Sequence, residues 1–249
     1  MSIINSYDES EEIIKPIDMA VDKSKLPEIA IVTFMPNLIK EIERDSNFIK
    51  CGSIQAGDIM PIYKTTYNKK EVAIYRTLIG GPITVAMMEE LIARGVKKII
   101  IFGSCGALVK NIPSGDFILP TESYRDEGTS YHYIPASDFV KVETAEKLSK
   151  IFDKNGIKYI KGKTWTTDAL YKETVNKANK RKKQGCIVVD MECASIMALA
   201  KNRKVEVYQF LYSADTLEDE KWDIRNYLDD ETPFLKECLK IALKVADEI

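Results

Sequence analysis

Residues 97–107 read Lys-Lys-Ile-Ile-Ile-Phe-Gly-Ser-Cys-Gly-Ala, and the fold turns on how that stretch is read. Ile99 to Phe102 is an unbroken apolar run rich in β-branched side chains. Such a run marks a strand buried on both faces, as in a parallel sheet, rather than the alternating pattern of a half-solvated strand. Gly103, Ser104, Cys105, Gly106 and Ala107 follow at once and read as a strand-to-loop turn. There two glycines let the backbone approach a ligand closely, and successive N–H groups with the Ser104 hydroxyl can hold an anion. The same residues also suit a plain tight turn. The spacing is neither G-x-G-x-x-G nor a Walker loop, so no nucleotide cofactor is indicated.

Outward from this stretch the chain alternates strand and helix. Upstream, Ile29–Phe34 and Glu71–Leu78 read as strands, the second ending at Gly80-Gly81-Pro82. Thr84–Arg94 carries Val85, Met88, Leu91 and Ile92 at helical spacing, with Gly95 as the stop. Downstream, strands are expected at Asp116–Pro120, Lys158–Thr164, Cys186–Val189 and Val205–Ser213. Helices are expected at Thr144–Lys154, Thr174–Lys183, Met191–Lys201 and Pro233–Ile249. This alternation implies an α/β protein with helices on both faces: a three-layer αβα sandwich about a central mixed, mostly parallel sheet. Residues 1–28 read as an irregular N-terminal arm packing on the body or on a neighbouring subunit, and residues 29–249 as one domain.

Composition narrows the function. With 249 residues, 45% of them apolar, the chain can bury a sizeable core. Thirty-six basic against 38 acidic residues leave a net charge of −2, so no basic surface points to nucleic acid. No apolar run approaches a membrane span, and the acidic start does not read as a secretory signal. Five scattered cysteines without a CxxC pair read as free thiols of a cytoplasmic protein. A single histidine, His132, leaves too few imidazoles for a His-based zinc site or a Ser-His-Asp triad, and no metal is implied. It reads as an interior histidine in preference to a catalytic one.

In open α/β sheets ligands bind beyond the carboxyl ends of the strands. Besides Ser104, that rule selects Asp190-Met191-Glu192, where a buried strand becomes a helix. A carboxylate there can accept two hydrogen bonds at once and so suits a vicinal diol, although acids also favour helix N-termini through the dipole. It also selects Asp215, ending another strand, as a general acid, a hydrogen-bond partner for a heterocycle, or a cap. Tyr124–Tyr133, which contains Arg125 and His132, is a dense polar and aromatic run suited to a ligand, a buried turn or a subunit contact. The basic Lys172–Lys183 stretch reads as a solvated helix face.

Taken together these residues resemble the nucleoside phosphorylase family, which includes purine nucleoside phosphorylases, uridine phosphorylases and related nucleosidases. The likeness spans residues 29–249. It rests on Ile79-Gly80-Gly81-Pro82, Gly103–Ala107, Thr167-Asp168-Ala169-Leu170-Tyr171, Val189–Ala194 and Ser213-Ala214-Asp215 in this order. The Arg125–Tyr133 run is similar to the uridine-phosphorylase-like branch, and Trp222-Asp223-Ile224-Arg225 to a divergent one. The resemblance implies attack of inorganic phosphate on the anomeric carbon of a nucleoside, releasing free base and (deoxy)ribose 1-phosphate, with no other cofactor. It implies that Glu192 and Met191 hold the ribose and Ser104 holds phosphate. Cys105, Gly106 and Leu170 would line the base pocket. Asp215 would protonate or hydrogen-bond a purine, its carboxyl kept protonated by burial. A homo-oligomer, dimer or hexamer, is implied as well.

The departures from that pattern fall on the phosphate side. Where the family carries Gly-Asp-Pro-x-Arg, this chain reads Phe34-Met35-Pro36-Asn37-Leu38, and a second arginine position is Ile101. A third, lent across the subunit interface, matches Lys64. Arg76, a charge in an apolar strand, reads either as a replacement phosphate ligand or as an edge-facing residue. Lysine cannot reproduce bidentate guanidinium contacts, so a phosphate-independent nucleosidase and a non-catalytic nucleoside-binding relative stand as alternatives. Thr174 and Asn176 replace the uridine enzymes' Gln-x-Arg, which leaves the base purine-leaning, with uridine phosphorolysis as another alternative. Leu217 and Glu218 stand where purine enzymes place an arginine, with Arg225 as the substitute.

Overall fold

The Ile99–Phe102 run lies at the heart of the molecule, with all four side chains fully buried. The computed structural model describes residues 2–218, 221–225 and 232–249. Its strands are β1 (Ile29–Thr33), β2 (Ile49–Ala56), β3 (Asp58–Tyr67), β4 (Lys70–Arg76), β5 (Lys98–Ala107), β6 (Phe117–Asp126), β7 (Phe139–Lys141), β8 (Ile160–Thr167), β9 (Cys186–Asp190) and β10 (Glu206–Thr216). The helices are α1 (Pro16–Met19), α2 (Pro36–Arg44), α3 (Gly81–Ala93), α4 (Ser130–Tyr133), α5 (Ala145–Lys154), α6 (Val175–Lys183), α7 (Cys193–Arg203) and α8 (Thr232–Glu248).

All ten strands join one mixed sheet. β5 pairs in parallel with β1 on one side and β10 on the other, and its last residues pair antiparallel with β9. Because β10 also meets β6, and β6 continues through β8 to β9, strands β5, β10, β6, β8 and β9 close on themselves. β1, β4, β3 and β2 extend the sheet to an open edge. The centre is parallel, as expected. The sheet as a whole is more evenly mixed than expected, because residues 49–67, unassigned by the sequence reading, form the antiparallel hairpin β2–β3 against β4.

Side-chain alternation along the central strands sorts the helices into two layers. Ala30, Val32, Ala73, Tyr75, Ile99, Ile101 and Val207 point to the face covered by α3 and α7. Ile29, Ile31, Val72, Ile74, Ile100, Phe102, Tyr208 and Phe210 point to the face covered by α2, α5 and α8. The three layers are therefore the product of a period of two read through buried strands.

Two expectations need correction here. Gly103–Ala107 is not a loop but the second half of β5, hydrogen-bonded to β10 throughout. Its glycines serve close approach, since a Cβ at Gly103 would lie 2.8 Å from the Phe34 ring and one at Gly106 only 3.0 Å from Leu217. His132 is exposed on the one-turn helix α4, not interior. The N-terminal residues lie on the body of their own chain. Buried Arg94, the C-cap residue of α3, donates to the Ser24 and Ser53 carbonyls, and Arg203 of α7 joins Glu12 to Glu89 at 3.0 and 2.8 Å. Among the described residues, no helix is long and apolar enough to cross a membrane.

Candidate functional site

At the carboxyl ends of β5, β9 and β10 lies a cavity of about 560 Å³. Ser104, Cys105 and Gly106 from β5, Leu170 after β8, Met191 and Glu192 between β9 and α7, and Asp215 from β10 all line it. These seven sequence-selected residues, spread over more than a hundred positions, are brought to one place by the crossing of three strands. Lys64 and Arg76 do not line it. Lys64 pairs with Glu71 at 2.6 Å on the hairpin. Arg76 ends β4 in register with Thr33, with Met60 Sδ 3.6 Å from its guanidinium.

Each acid is held by a different device. β9 ends at Asp190, and Glu192 is the N-cap residue of α7, in a non-helical conformation. Glu192 Oε1 accepts the Gly80 N–H at 2.7 Å, which joins the first glycine turn to the start of α7. Gly80 has φ +113, a conformation open to glycine and strained for other residues. Asp190 Oδ1 accepts the Thr166 hydroxyl at 2.6 Å, while Oδ2 is buried with no hydrogen-bond partner among the described residues. Burial pushes Asp190 up to about 7, and burial with neighbouring Asp190 pushes Glu192 up to about 8.

Asp215 owes its aim to a bulge. The β10–β5 register shifts between Ser213 and Asp215, so that Asp215 rather than Ala214 stands opposite Gly106. Asp215 is half-buried rather than buried. Its Oδ2 accepts the Trp222 indole N–H at 2.7 Å. Arg225 does not reach it. The Arg225 guanidinium donates to the Ile112 carbonyl and the Ser213 hydroxyl.

The cavity has a second group of residues that sequence reasoning missed. Phe34, Met35 and Ile79 form one wall, and Tyr171, Glu173, Leu217 and Trp222 lie around the Asp215 side. Glu173 was hidden inside a charged run that reads as a solvated face. Burial, with Asp215 and Asp190 nearby, raises it to about 7. Among the described residues, four carboxylates and no lysine or arginine line this cavity. The undescribed segments add no cation, since residues 219–220 and 226–231 contain neither lysine nor arginine.

Arg125 serves the scaffold. Its guanidinium donates to Ser130 Oγ, the Pro135 carbonyl and Ser137 Oγ and stacks 4.0 Å from the Tyr131 ring centroid. Ser130 in turn donates to Glu127, whose other oxygen accepts Ser195 Oγ of α7 at 2.6 Å. The dense polar run is thus a buried clamp holding α7, and with it Glu192, against the end of β6. In the basic helix α6, Arg181 is buried 3.5 Å over the Tyr124 ring, an exception to the solvated face expected there.

The chain belongs to the Phosphorylase superfamily, whose sequence profile matches residues 28–249. Over 154 residues it is 29% identical to a DeoD-type purine nucleoside phosphorylase of Bacillus cereus, a match covering 60% of this chain and 66% of that relative, just under two thirds of its length. A Bacillus mycoides protein of the same description matches over the same share. Among solved structures, the purine nucleoside phosphorylase of Toxoplasma gondii in complex with immucillin-H superposes with a TM-score of 0.74, at 22% identity over 89% of this chain and 91% of that one. The uridine phosphorylase of Vibrio fischeri ES114 superposes with a TM-score of 0.75, at 22% identity over 92% and 95%. These two likenesses show the mixed α/β fold with its central sheet and flanking helices.

Proposed function

We propose that the protein cleaves the N-glycosidic bond of a nucleoside, purine-leaning, by phosphorolysis to free base and (deoxy)ribose 1-phosphate. The observation that carries this reading is the single cavity shared by Met191, Glu192, Ser104, Cys105, Gly106, Leu170 and Asp215. In this reading the Glu192 carboxylate accepts the two sugar hydroxyls and Met191 packs under the sugar ring. As the C1′–N bond breaks, positive charge grows on the sugar and negative charge on the base. The buried acids near the sugar stabilise the first, and Asp215 relieves the second by supplying a proton. Ser104 and backbone N–H groups hold the acceptor. Lys64 would contribute only through an assembled homo-oligomer.

A second reading, hydrolysis with water as acceptor, is favoured by one specific observation: four carboxylates and no described cation line the cavity, while the Phe34 ring lies over Gly103. A dianion in such surroundings lacks the charge-assisted donors that would offset its desolvation. Base release from adenosine, inosine and uridine, followed spectroscopically with and without inorganic phosphate, tests both. Release that requires phosphate supports phosphorolysis. Equal release without it replaces that reading by hydrolysis, and no release from any of the three contradicts both.

A further inference from the structure

Trp222 is 64% exposed, an unusual position for so large an apolar ring, yet its one polar atom is engaged. The four residues 222–225 fold back on the end of β10 to bring this about. Thr216 and Asp223 exchange backbone hydrogen bonds at 3.0 Å in each direction, which fixes Asp223, next to Trp222, beside the end of β10. Asp223 Oδ1 accepts the Arg225 N–H at 2.9 Å, and the Arg225 side chain is tied to Ile112 and Ser213. Residues 222–225 are therefore tied to the end of β10, and the nearby guanidinium is spent elsewhere.

We propose that Trp222 is a positioning residue for Asp215: its indole N–H occupies Oδ2 and confines the transferable proton of the carboxyl to Oδ1, the oxygen that faces the cavity floor. The argument rests on donor and acceptor inventory. An indole N–H donates and cannot accept, and the carbonyl oxygen of a protonated carboxyl is a better acceptor than its hydroxyl oxygen. With the indole on Oδ2, a protonated Asp215 therefore carries its hydrogen preferentially on Oδ1. That oxygen faces Gly106, since a Cβ built on Gly106 would lie 3.3 Å from it. Gly106 is part of the cavity lining. A neutral donor also suits a carboxyl that must give up a proton, because an adjacent guanidinium would hold it ionised.

The step rests on the proposed cleavage. As the C1′–N bond breaks, its electron pair passes to the base and the Oδ1 proton moves to a base nitrogen. The acceptor oxygen bonds to C1′, and Asp215 is left as a carboxylate still bound to the indole. Solvent returns the proton between turnovers. The groups that share the field of Asp215 are Glu173 after β8, Asp190 at the end of β9 and Cys105 on β5.

Two measurements test this independently. In the first, the indole N–H resonances of the chain's two tryptophans are followed against pH by NMR, with Trp222→Phe assigning the Trp222 signal. The Trp222 resonance should move with pH along one ionisation in wild type and in Glu173→Gln, and the movement should vanish in Asp215→Ala. A resonance that ignores pH, or that keeps its response in Asp215→Ala, overturns the proposal. In the second, Trp222→Phe, which keeps a ring and loses the donor, is compared with wild type on adenosine and inosine with inorganic phosphate. Its kcat should fall about tenfold, the loss expected for one hydrogen bond to a charged group, with KM within about twofold. The pH profile of kcat should change with it. Equal changes in kcat and KM with an unmoved pH profile would make Trp222 a mere wall. Should wild type release no base, the cleavage reading fails, while the NMR titration still decides the Trp222–Asp215 relation.

Discussion

Two walls of the cavity are built on opposite principles. On the Glu192 wall every acid has an assigned neighbour: Glu192 is held by the Gly80 N–H, Asp190 by the Thr166 hydroxyl, and α7 behind them by Glu127 through Ser195. The Phe34 wall, by contrast, is apolar. Phe34 and Met35 enter the cavity, the Phe34 ring presses on Gly103, and the cations at Lys64 and Arg76 stay on the hairpin side. The first wall presents acids held by hydrogen bonds, and the second presents hydrocarbon. In the proposed reading the first wall receives the sugar and the second the acceptor, and the two walls belong to different strands.

The largest expected effect lies on the first wall. Above about pH 8, where Glu192 is ionised, Glu192→Ala should lower kcat/KM about a thousandfold, from two charge-assisted hydrogen bonds at about 2 kcal/mol each. A circular dichroism melt would check that α7 still folds. A loss of less than about tenfold would mean that Glu192 only anchors Gly80. Arg76 lines no part of the cavity, so Arg76→Ala should leave the KM for phosphate and for nucleoside within about twofold of wild type. A rise of about tenfold in the phosphate KM alone, the loss of one charge-assisted contact, would place Arg76 in acceptor binding and contradict the apolar wall.

A further effect concerns stability. Asp190 is raised by burial from 3.8 to about 7. Between those values the folded chain keeps a proton that the unfolded chain has released. Stability from this group is therefore full below about pH 4 and declines as pH rises through about 7. Asp190→Asn should remove that decline, so its melting temperature relative to wild type should be more favourable at pH 8 than at pH 5. A pH-independent difference would show that Asp190 is solvated in the folded chain and that the first wall is wetter than its burial implies.

The sequence was most informative where burial is complete. Ile99–Phe102 and the Asp190-Met191-Glu192 junction announce themselves because continuous apolar strands and acids at a strand end have few other uses. It was least informative at the sheet edge. β2 buries only Ile54, and β3 carries Pro61, so neither shows a clean alternation of apolar and polar residues. Gly103–Ala107 was misread because small residues signal a turn locally, whereas here the Phe34 ring and the Leu217 side chain, distant in sequence, require them. The Trp222 contact depends on a bulge at Ala214 and a two-bond bridge at Thr216, and no spacing rule contains either. Glu173 lay in a run of charges most of which are solvated, and only its place beside the cavity after β8 distinguishes it.

The most direct test of the account is the fate of the sugar. Wild-type protein is given inosine and inorganic phosphate in isotopically labelled water, and the sugar product is identified by mass spectrometry. The account predicts unlabelled ribose 1-phosphate in step with hypoxanthine. Free ribose carrying the solvent's labelled oxygen would contradict it, and would mean that the apolar Phe34 wall admits water in place of phosphate.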